Sequence, residues 1–208
     1  MTARLPDSYF EHLYTAADDP WQLGSRWYDQ RKYAITMAAL PKRRYRHAFE
    51  PGCSIGTLTE LLTQRCDHVT ATDVAQAPLE TARARLRRRG WDAGVTLLQS
   101  SIDTRWPTGP FDLLVLSEVA YYLDRDTLTM VLGRECPRLA PDAVVIAAHW
   151  RHTVADYPLT GDEAHRVIAA TPGLTSIGQY RDNDVVVEVF DTGDGASVAV
   201  RDGVPGAC

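Results

Sequence analysis

No stretch of this sequence stays apolar for long enough to cross a bilayer: the longest uninterrupted apolar run, residues 143–148, has six residues, where a spanning helix needs about 20. The N-terminus, Met-Thr-Ala-Arg-Leu-Pro-Asp, turns polar before the apolar core of a secretion signal develops. Cysteine is scarce and unpatterned. Cys53, Cys66, Cys136 and Cys208 form no C-x-x-C pair, which argues against a zinc site or a disulfide framework and for a reducing cytoplasm. Excess positive charge is lacking too: 22 Lys and Arg against 27 Asp and Glu give −5. No global field draws in a polyanion, so neither nucleic acid nor membrane is an expected partner. The one basic cluster, Arg83, Arg85, Arg87, Arg88 and Arg89, fits the solvated face of a helix. No internal repeat or low-complexity tract is present.

What is present has the proportions of a globular domain, with 45% hydrophobic and 24% charged side chains. A chain of 208 residues buries roughly 70% of its unfolded surface and needs no staples. Helical spacing predicts helices at 7–17 and 25–40, the second read from Trp27, Ala34, Ile35, Ala38 and Leu40. From residue 46 short apolar runs alternate with amphipathic stretches, the pattern of βα units on a parallel sheet. Strands are expected at 46–50, 68–73, 95–99, 111–117, 143–149, 175–180 and 184–190, with helices at 55–65, 76–89, 126–138 and 160–170. Only Arg181, Asp182 and Asn183 separate the last two strands, too few for a crossover, so they form an antiparallel hairpin. The chain divides into a cap at 1–44, a core at 45–190 and a mobile Gly- and Asp-rich tail at 191–208, one domain overall.

The sharpest motif is Phe49-Glu50-Pro51-Gly52-Cys53-Ser54-Ile55-Gly56, between an expected strand and an expected helix. Glycines there let the backbone approach a ligand at the carboxyl ends of parallel strands. Gly52 and Gly56 are separated by three residues, which is not the Gly-x-Gly-x-x-Gly spacing that admits a pyrophosphate and so disfavours NAD and FAD. The next strand, Val69-Thr70-Ala71-Thr72-Asp73, ends in an acid 23 residues beyond Glu50. A carboxylate at that place accepts both hydroxyls of a ribose, or else caps the helix from Gln76.

This loop resembles the acidic-x-Gly-x-Gly-x-Gly motif of class I S-adenosylmethionine-dependent methyltransferases, with Glu50 in the acidic place and Ser54 where the middle glycine is usual. The resemblance implies a Rossmann-like α/β fold. Its seven-stranded sheet is mostly parallel with an antiparallel C-terminal hairpin, helices lie on both faces, and N-terminal helices form a cap. It implies S-adenosylmethionine as cofactor, released as S-adenosylhomocysteine. Glu50, Gly52, Cys53, Ser54 and Gly56 would then wrap its amino-acid end, and Asp73 with Val74 its ribose. Ser101 and Ile102 would flank the adenine, with Asp103 as a substitute contact, and Ser117 would lie beside the cofactor at the fourth strand end. Trp27, Tyr28 and Arg31 would cover it from the cap. Phe111-Asp112 opening an apolar strand matches the family, with Asp112 structural.

Methyl transfer needs a nucleophile in line with the sulfonium carbon and, for a hydroxyl, a group to take its proton. Glu118, Tyr121 and Tyr122 follow the fourth strand, and His149, Trp150 and Arg151 follow the fifth. His149 is the expected general base, with Glu118 orienting it or acting itself. Tyr121 and Tyr122 face the sulfonium or hold a substrate hydroxyl. The alternatives are a core histidine, a helix-start acid and core tyrosines. Trp150, Arg151, Asp156 and His165 are the expected substrate contacts. His149, His152, Asp156, Asp162 and His165 lack a recognised ligand spacing, and a sulfonium donor needs no Lewis acid, so no metal is expected.

A narrower resemblance lies in Asp19-Pro20-Trp21, Ser25-Arg26-Trp27-Tyr28-Asp29-Gln30-Arg31-Lys32, Phe49 to Cys53, Leu116-Ser117-Glu118-Val119 and His149-Trp150-Arg151 through His165. These strings look like the NodS family, which N-methylates the glucosamine end of a chitooligosaccharide. A similar fold serves actinobacterial sugar O-methyltransferases, one of them in methylmannose polysaccharide synthesis. Of the 22 basic residues only Lys32 and Lys42 are lysines, which suggests a GC-rich genome and leans toward that second group. The expected reaction is therefore methylation of a sugar or oligosaccharide hydroxyl. The alternatives are an amino-sugar nitrogen, a small molecule outside carbohydrates, or a non-catalytic cofactor-binding protein. A homodimer is the assembly to test.

Overall fold

The computed structural model describes residues 4–207. Two helices, α1 (Asp7–Ala16) and α2 (Trp27–Ala39), precede the alternating part of the chain. There β1 (Tyr45–Pro51), α3 (Thr57–Leu62), β2 (Cys66–Asp73), α4 (Gln76–Arg89), β3 (Val95–Gln99) and β4 (Leu113–Ser117) follow one another. Then come α5 (Arg125–Glu135), β5 (Val144–Trp150), α6 (Gly161–Ala169), β6 (Thr175–Arg181) and β7 (Val185–Asp191). The strands form one sheet in the order β3-β2-β1-β4-β5-β7-β6. All neighbours pair in parallel except β7, which runs antiparallel to both β5 and β6. In the β6–β7 turn, Asp182 Oδ1 accepts the N–H groups of Asp184 (2.9 Å) and Val185 (2.8 Å), an Asx turn that fixes the hairpin. Among the described residues no helix is long and apolar enough to cross a membrane.

The alternation of side chains along the strands divides the core between the two faces. Phe49, Leu114, Leu116, Val145 and Phe190 pack on one side with Leu128 and Leu132 of α5. Ala48, Val69, Leu113, Val115, Val144 and Ile146 pack on the other with Leu58, Leu62 and Leu79. The strand order reverses between β1 and β4, where the diverging connections open a crevice at the carboxyl ends.

Four expectations change in detail. Strand β4 starts at Leu113, because Asp112 turns its carboxylate back to accept the N–H groups of Arg46 (2.9 Å) and His47 (2.8 Å) at the start of β1. Helix α5 stops at Glu135, where Cys136-Pro137-Arg138 tightens into a 3₁₀ turn, since proline cannot supply the next helical N–H. The tail has a helical turn, α7 (Val198–Arg201), tied back by Arg201 to the buried Asp191 at 2.8 Å. The largest change is the face that α2 buries. Of the residues whose spacing marks the helix, Leu40 and Ile35 pack on the core, but Ala34 and Ala38 are exposed, Trp27 is 72% exposed, and the buried helical residues are Asp29, Lys32, Tyr33 and Thr36.

Candidate active site

The crevice opens into a cleft of about 650 Å³, within the usual range for small-molecule sites. Its β1–β2 end is built by the glycine loop. Gly52 and Gly56 both lie at φ +74°, a conformation that favours glycine. A Cβ on Gly52 would come within 2.9 Å of Val119 Cγ2, so the residue keeps the loop against the floor after β4. Ser54 is itself left-handed, at φ 49°. The structure explains the serine there: its Oγ accepts the Tyr14 hydroxyl of α1 at 2.5 Å, a bond that glycine cannot make. Replacing Tyr14 by Phe is expected to lower stability by about 1 kcal/mol, read by urea unfolding; an unchanged midpoint would mean that the bond contributes nothing.

Two buried acids face this end. Asp73 accepts the N–H groups of Ser54 (2.9 Å) and Ala75 (3.0 Å), so it caps and lines the cleft at once. Burial pushes its pKa up to about 6 against the pull of those backbone bonds. Glu50 accepts the Thr59 hydroxyl at 2.6 Å, and burial pushes it up to about 8. Val74, Ser101, Ile102, Ser117 and Cys53 line the same cavity. An apolar slot beside two buried acids fits a cofactor with an adenine, a ribose and an amino-acid end. Ribose hydroxyls would meet Asp73, and an ammonium would meet Glu50.

The β4–β5 end is polar, and Glu118, Tyr121, Tyr122 and Trp150 meet there as the sequence suggested. Glu118, held at φ 55°, receives three donors: Lys32 Nζ at 2.7 Å, the Tyr121 hydroxyl at 2.6 Å and the Trp150 N–H at 2.9 Å. Lys32 also bonds Asp29 at 2.9 Å and is 1% exposed. Burial alone would lower the pKa of its ammonium, but Glu118 and Asp29 outweigh this and raise it. Tyr28 packs edge-on against Trp150 with ring centroids 4.9 Å apart, and Tyr122 and Tyr157 complete the wall. Sequence reasoning missed Asp29 and Lys32. Their one signal was an acid and a base three residues apart in an expected helix, a spacing that surface pairs share.

The structure does not bring every expected residue to the cleft. His149 is fully buried behind it. Its Nε2 accepts the Ala120 N–H at 3.1 Å, so the ring proton sits on Nδ1 and is donated to His165 Nε2, also at 3.1 Å. His165 Nδ1–H in turn faces Glu188 at 3.2 Å. Desolvation, then His165 and Lys32, hold the His149 pKa well below the ordinary histidine range. With both nitrogens engaged, His149 has no lone pair for a substrate proton, and His165 is its partner rather than a substrate contact. Arg151 pairs with Asp162 at 3.0 Å, and Arg31 with Asp182 at 2.8 Å, both outside the cleft lining. Asp156 is exposed on a loop, Trp27 points to solvent, and Asp103 pairs with Arg4 at 2.8 Å. Gly56 serves packing: a Cβ there would lie 2.8 Å from Ala82 Cβ of α4.

The strand order and the cleft at its reversal define the class I methyltransferase architecture. Within that class the chain belongs to the NodS family, whose model, Nodulation protein S (NodS), matches residues 11–171. It is similar to Nodulation protein S of Bradyrhizobium diazoefficiens, 36% identical over 63% of this chain and 62% of the relative. The matches to three curated Nodulation protein S relatives span only between 51% and 62% of their lengths. Among solved structures, a Pseudomonas syringae chain assigned as a methyltransferase is 33% identical, with a TM-score of 0.65 over 80% of this chain and 99% of that one. The N-methyltransferase NodS of Bradyrhizobium japonicum WM9, in complex with S-adenosyl-L-homocysteine, superposes with a TM-score of 0.78 at 21% identity over 89% of this chain and 97% of that one.

Proposed function

We propose that this protein is an S-adenosylmethionine-dependent N-methyltransferase whose acceptor is the amino group of an amino sugar in an oligosaccharide. The observation that carries the choice of nitrogen over oxygen is the cleft lining: among the described residues it contains no histidine, and both oxygens of its central carboxylate, Glu118, already accept bonds from Lys32, Tyr121 and Trp150. An alcohol must shed its proton as it attacks, whereas an amine needs only to arrive neutral. The expected hydroxyl chemistry relied on His149, whose nitrogens are both engaged. The NodS relatives also favour nitrogen, since the solved NodS is an N-methyltransferase.

The bound cofactor supplies the methyl group: the acceptor lone pair forms the new N–C bond as the S–C bonding pair returns to sulfur. Asp73 and Glu50 hold the cofactor at the β1–β2 end, while Trp150, Tyr28 and Tyr122 form aromatic walls for a pyranose at the β4–β5 end. Helices α1 and α2 exclude water.

The test is methyl transfer from labelled S-adenosylmethionine to tetraglucosamine and to its fully N-acetylated counterpart. Product is expected only with the free amine. Methylation of the acetylated oligomer would return the reaction to a hydroxyl.

A further inference from the structure

The Asp29–Lys32–Glu118 cluster carries two carboxylates and one ammonium in a buried wall of the acceptor end. Lys32 is an unusual occupant for a site that must also admit a sulfonium and an amine. We propose that Lys32 is a specificity-determining residue that holds this wall at one net negative charge, enough to draw in an amine yet too little to keep it protonated. The inference rests on the N-methylation reading and deepens it.

The geometry supports it in three ways. Lys32 is clamped at 2.9 Å by Asp29 and at 2.7 Å by Glu118, and the rings of Tyr28 and Tyr33 lie 5.3 and 5.1 Å from Nζ. It is therefore a fixed charge rather than a mobile side chain. Burial removes the solvent that would screen it. Among the described residues the other cationic side chains of the cleft lining are Arg4 and Arg26, and neither bonds Asp29 or Glu118. From its own helix Tyr28, Asp29 and Tyr33 face it. From the segment after β4 come Glu118, bonded in turn to Tyr121, and from β5 the neutral His149. Asp182 and Asp184 of the β6–β7 turn bear on Tyr28. Without Lys32 the wall would carry two negative charges, and an incoming ammonium would bind tightly in the protonated form, with no lone pair to attack the methyl group. With Lys32 in place only one negative charge favours the ammonium, burial in the cleft disfavours it more, and the proton passes to water so that the neutral nitrogen attacks.

The test is the pH dependence of kcat and KM for tetraglucosamine with wild type, Lys32→Met, Lys32→Arg and Glu118→Gln. A neighbouring charge within about 4–6 Å shifts a titration by about 1–3 pH units, and removing a like charge raises the pKa of an ammonium. Lys32→Met should therefore move the acid limb of kcat alkaline by about 1–3 units while lowering KM at neutral pH. Glu118→Gln, which removes a negative charge, should move the limb the other way and raise KM. Lys32→Arg keeps the charge but not the fit, and should keep the limb in place whatever its rate. Where Lys32→Met does not fold, the Glu118→Gln shift decides. A second readout needs no turnover. Calorimetry of tetraglucosamine binding to protein loaded with S-adenosylhomocysteine, in two buffers of different ionisation enthalpy, counts the protons released. Wild type should release more than Lys32→Met. Turnover with unmoved acid limbs and equal proton release would overturn the role of Lys32 alone. No turnover of tetraglucosamine at any pH would overturn the N-methylation reading and the inference with it.

Discussion

Replacing Glu50 by Gln is expected to stabilise the ligand-free protein above neutral pH while weakening its hold on S-adenosylmethionine. The sign follows from linkage. Burial raises the Glu50 pKa from 4.5 to about 8, so between those values the folded state keeps a proton that the unfolded chain has lost. Stability therefore falls as pH rises through that window. At ~1.36 kcal/mol per pH unit, this costs on the order of 3–5 kcal/mol once the window is crossed. Gln has no proton to lose and its amide oxygen still accepts from Thr59. The variant should match wild type near pH 4.5 and exceed it increasingly toward pH 8, measured by thermal unfolding. Cofactor binding should move in the opposite sense, falling by about 1.5–3 kcal/mol if the carboxylate holds the ligand ammonium. Calorimetry with S-adenosylhomocysteine that finds the affinity unchanged would reduce Glu50 to a partner for Thr59.

The second large effect concerns His149. Replacing it by Leu removes the acceptor of the Ala120 N–H and the donor to His165. Each orphaned buried group costs about 1–3 kcal/mol, so a loss of about 2–5 kcal/mol is expected in urea unfolding. His149→Gln offers an amide oxygen to Ala120 and an N–H to His165 and should recover part of it. Neither fully folded variant should show the ~10²–10⁴-fold fall in kcat that follows loss of a general base. A folded His149→Gln with such a fall would restore the histidine to the chemistry.

These two residues also mark how far the sequence could be read. The apolar runs of β4 and β5 announce buried parallel strands because both their faces are covered. Glu50, Gly52 and Asp73 follow from a local motif whose geometry is set within a few residues. His149 lay at the right strand end, but alternation along β5 turns it to the face of Val145 and Ala147, where His165, 16 residues on, takes its ring proton. Lys32 and Glu118 are 86 residues apart, and no local period announces such a pair. The buried polar face of α2 inverted the usual rule, because its acid and base satisfy each other inside rather than facing water.

The placement of α2 has an evolutionary consequence. It brings Tyr28, Asp29 and Lys32 to the β4–β5 end of the cleft, and Arg31 fastens it to Tyr180 and Asp182 on the edge hairpin. The peripheral helix thus supplies one side of that end, with Glu118 and Trp150 at the ends of β4 and β5 supplying the other, whereas Glu50, Gly52 and Asp73 belong to β1, β2 and their loops. Under the proposed reading, a change of acceptor would be expected to fall on α2 and its contacts rather than on the loop after β1 and the end of β2. A graft that moves α2 without residues 180–182 would separate Arg31 from its anchors, so the helix and the hairpin would have to be exchanged together.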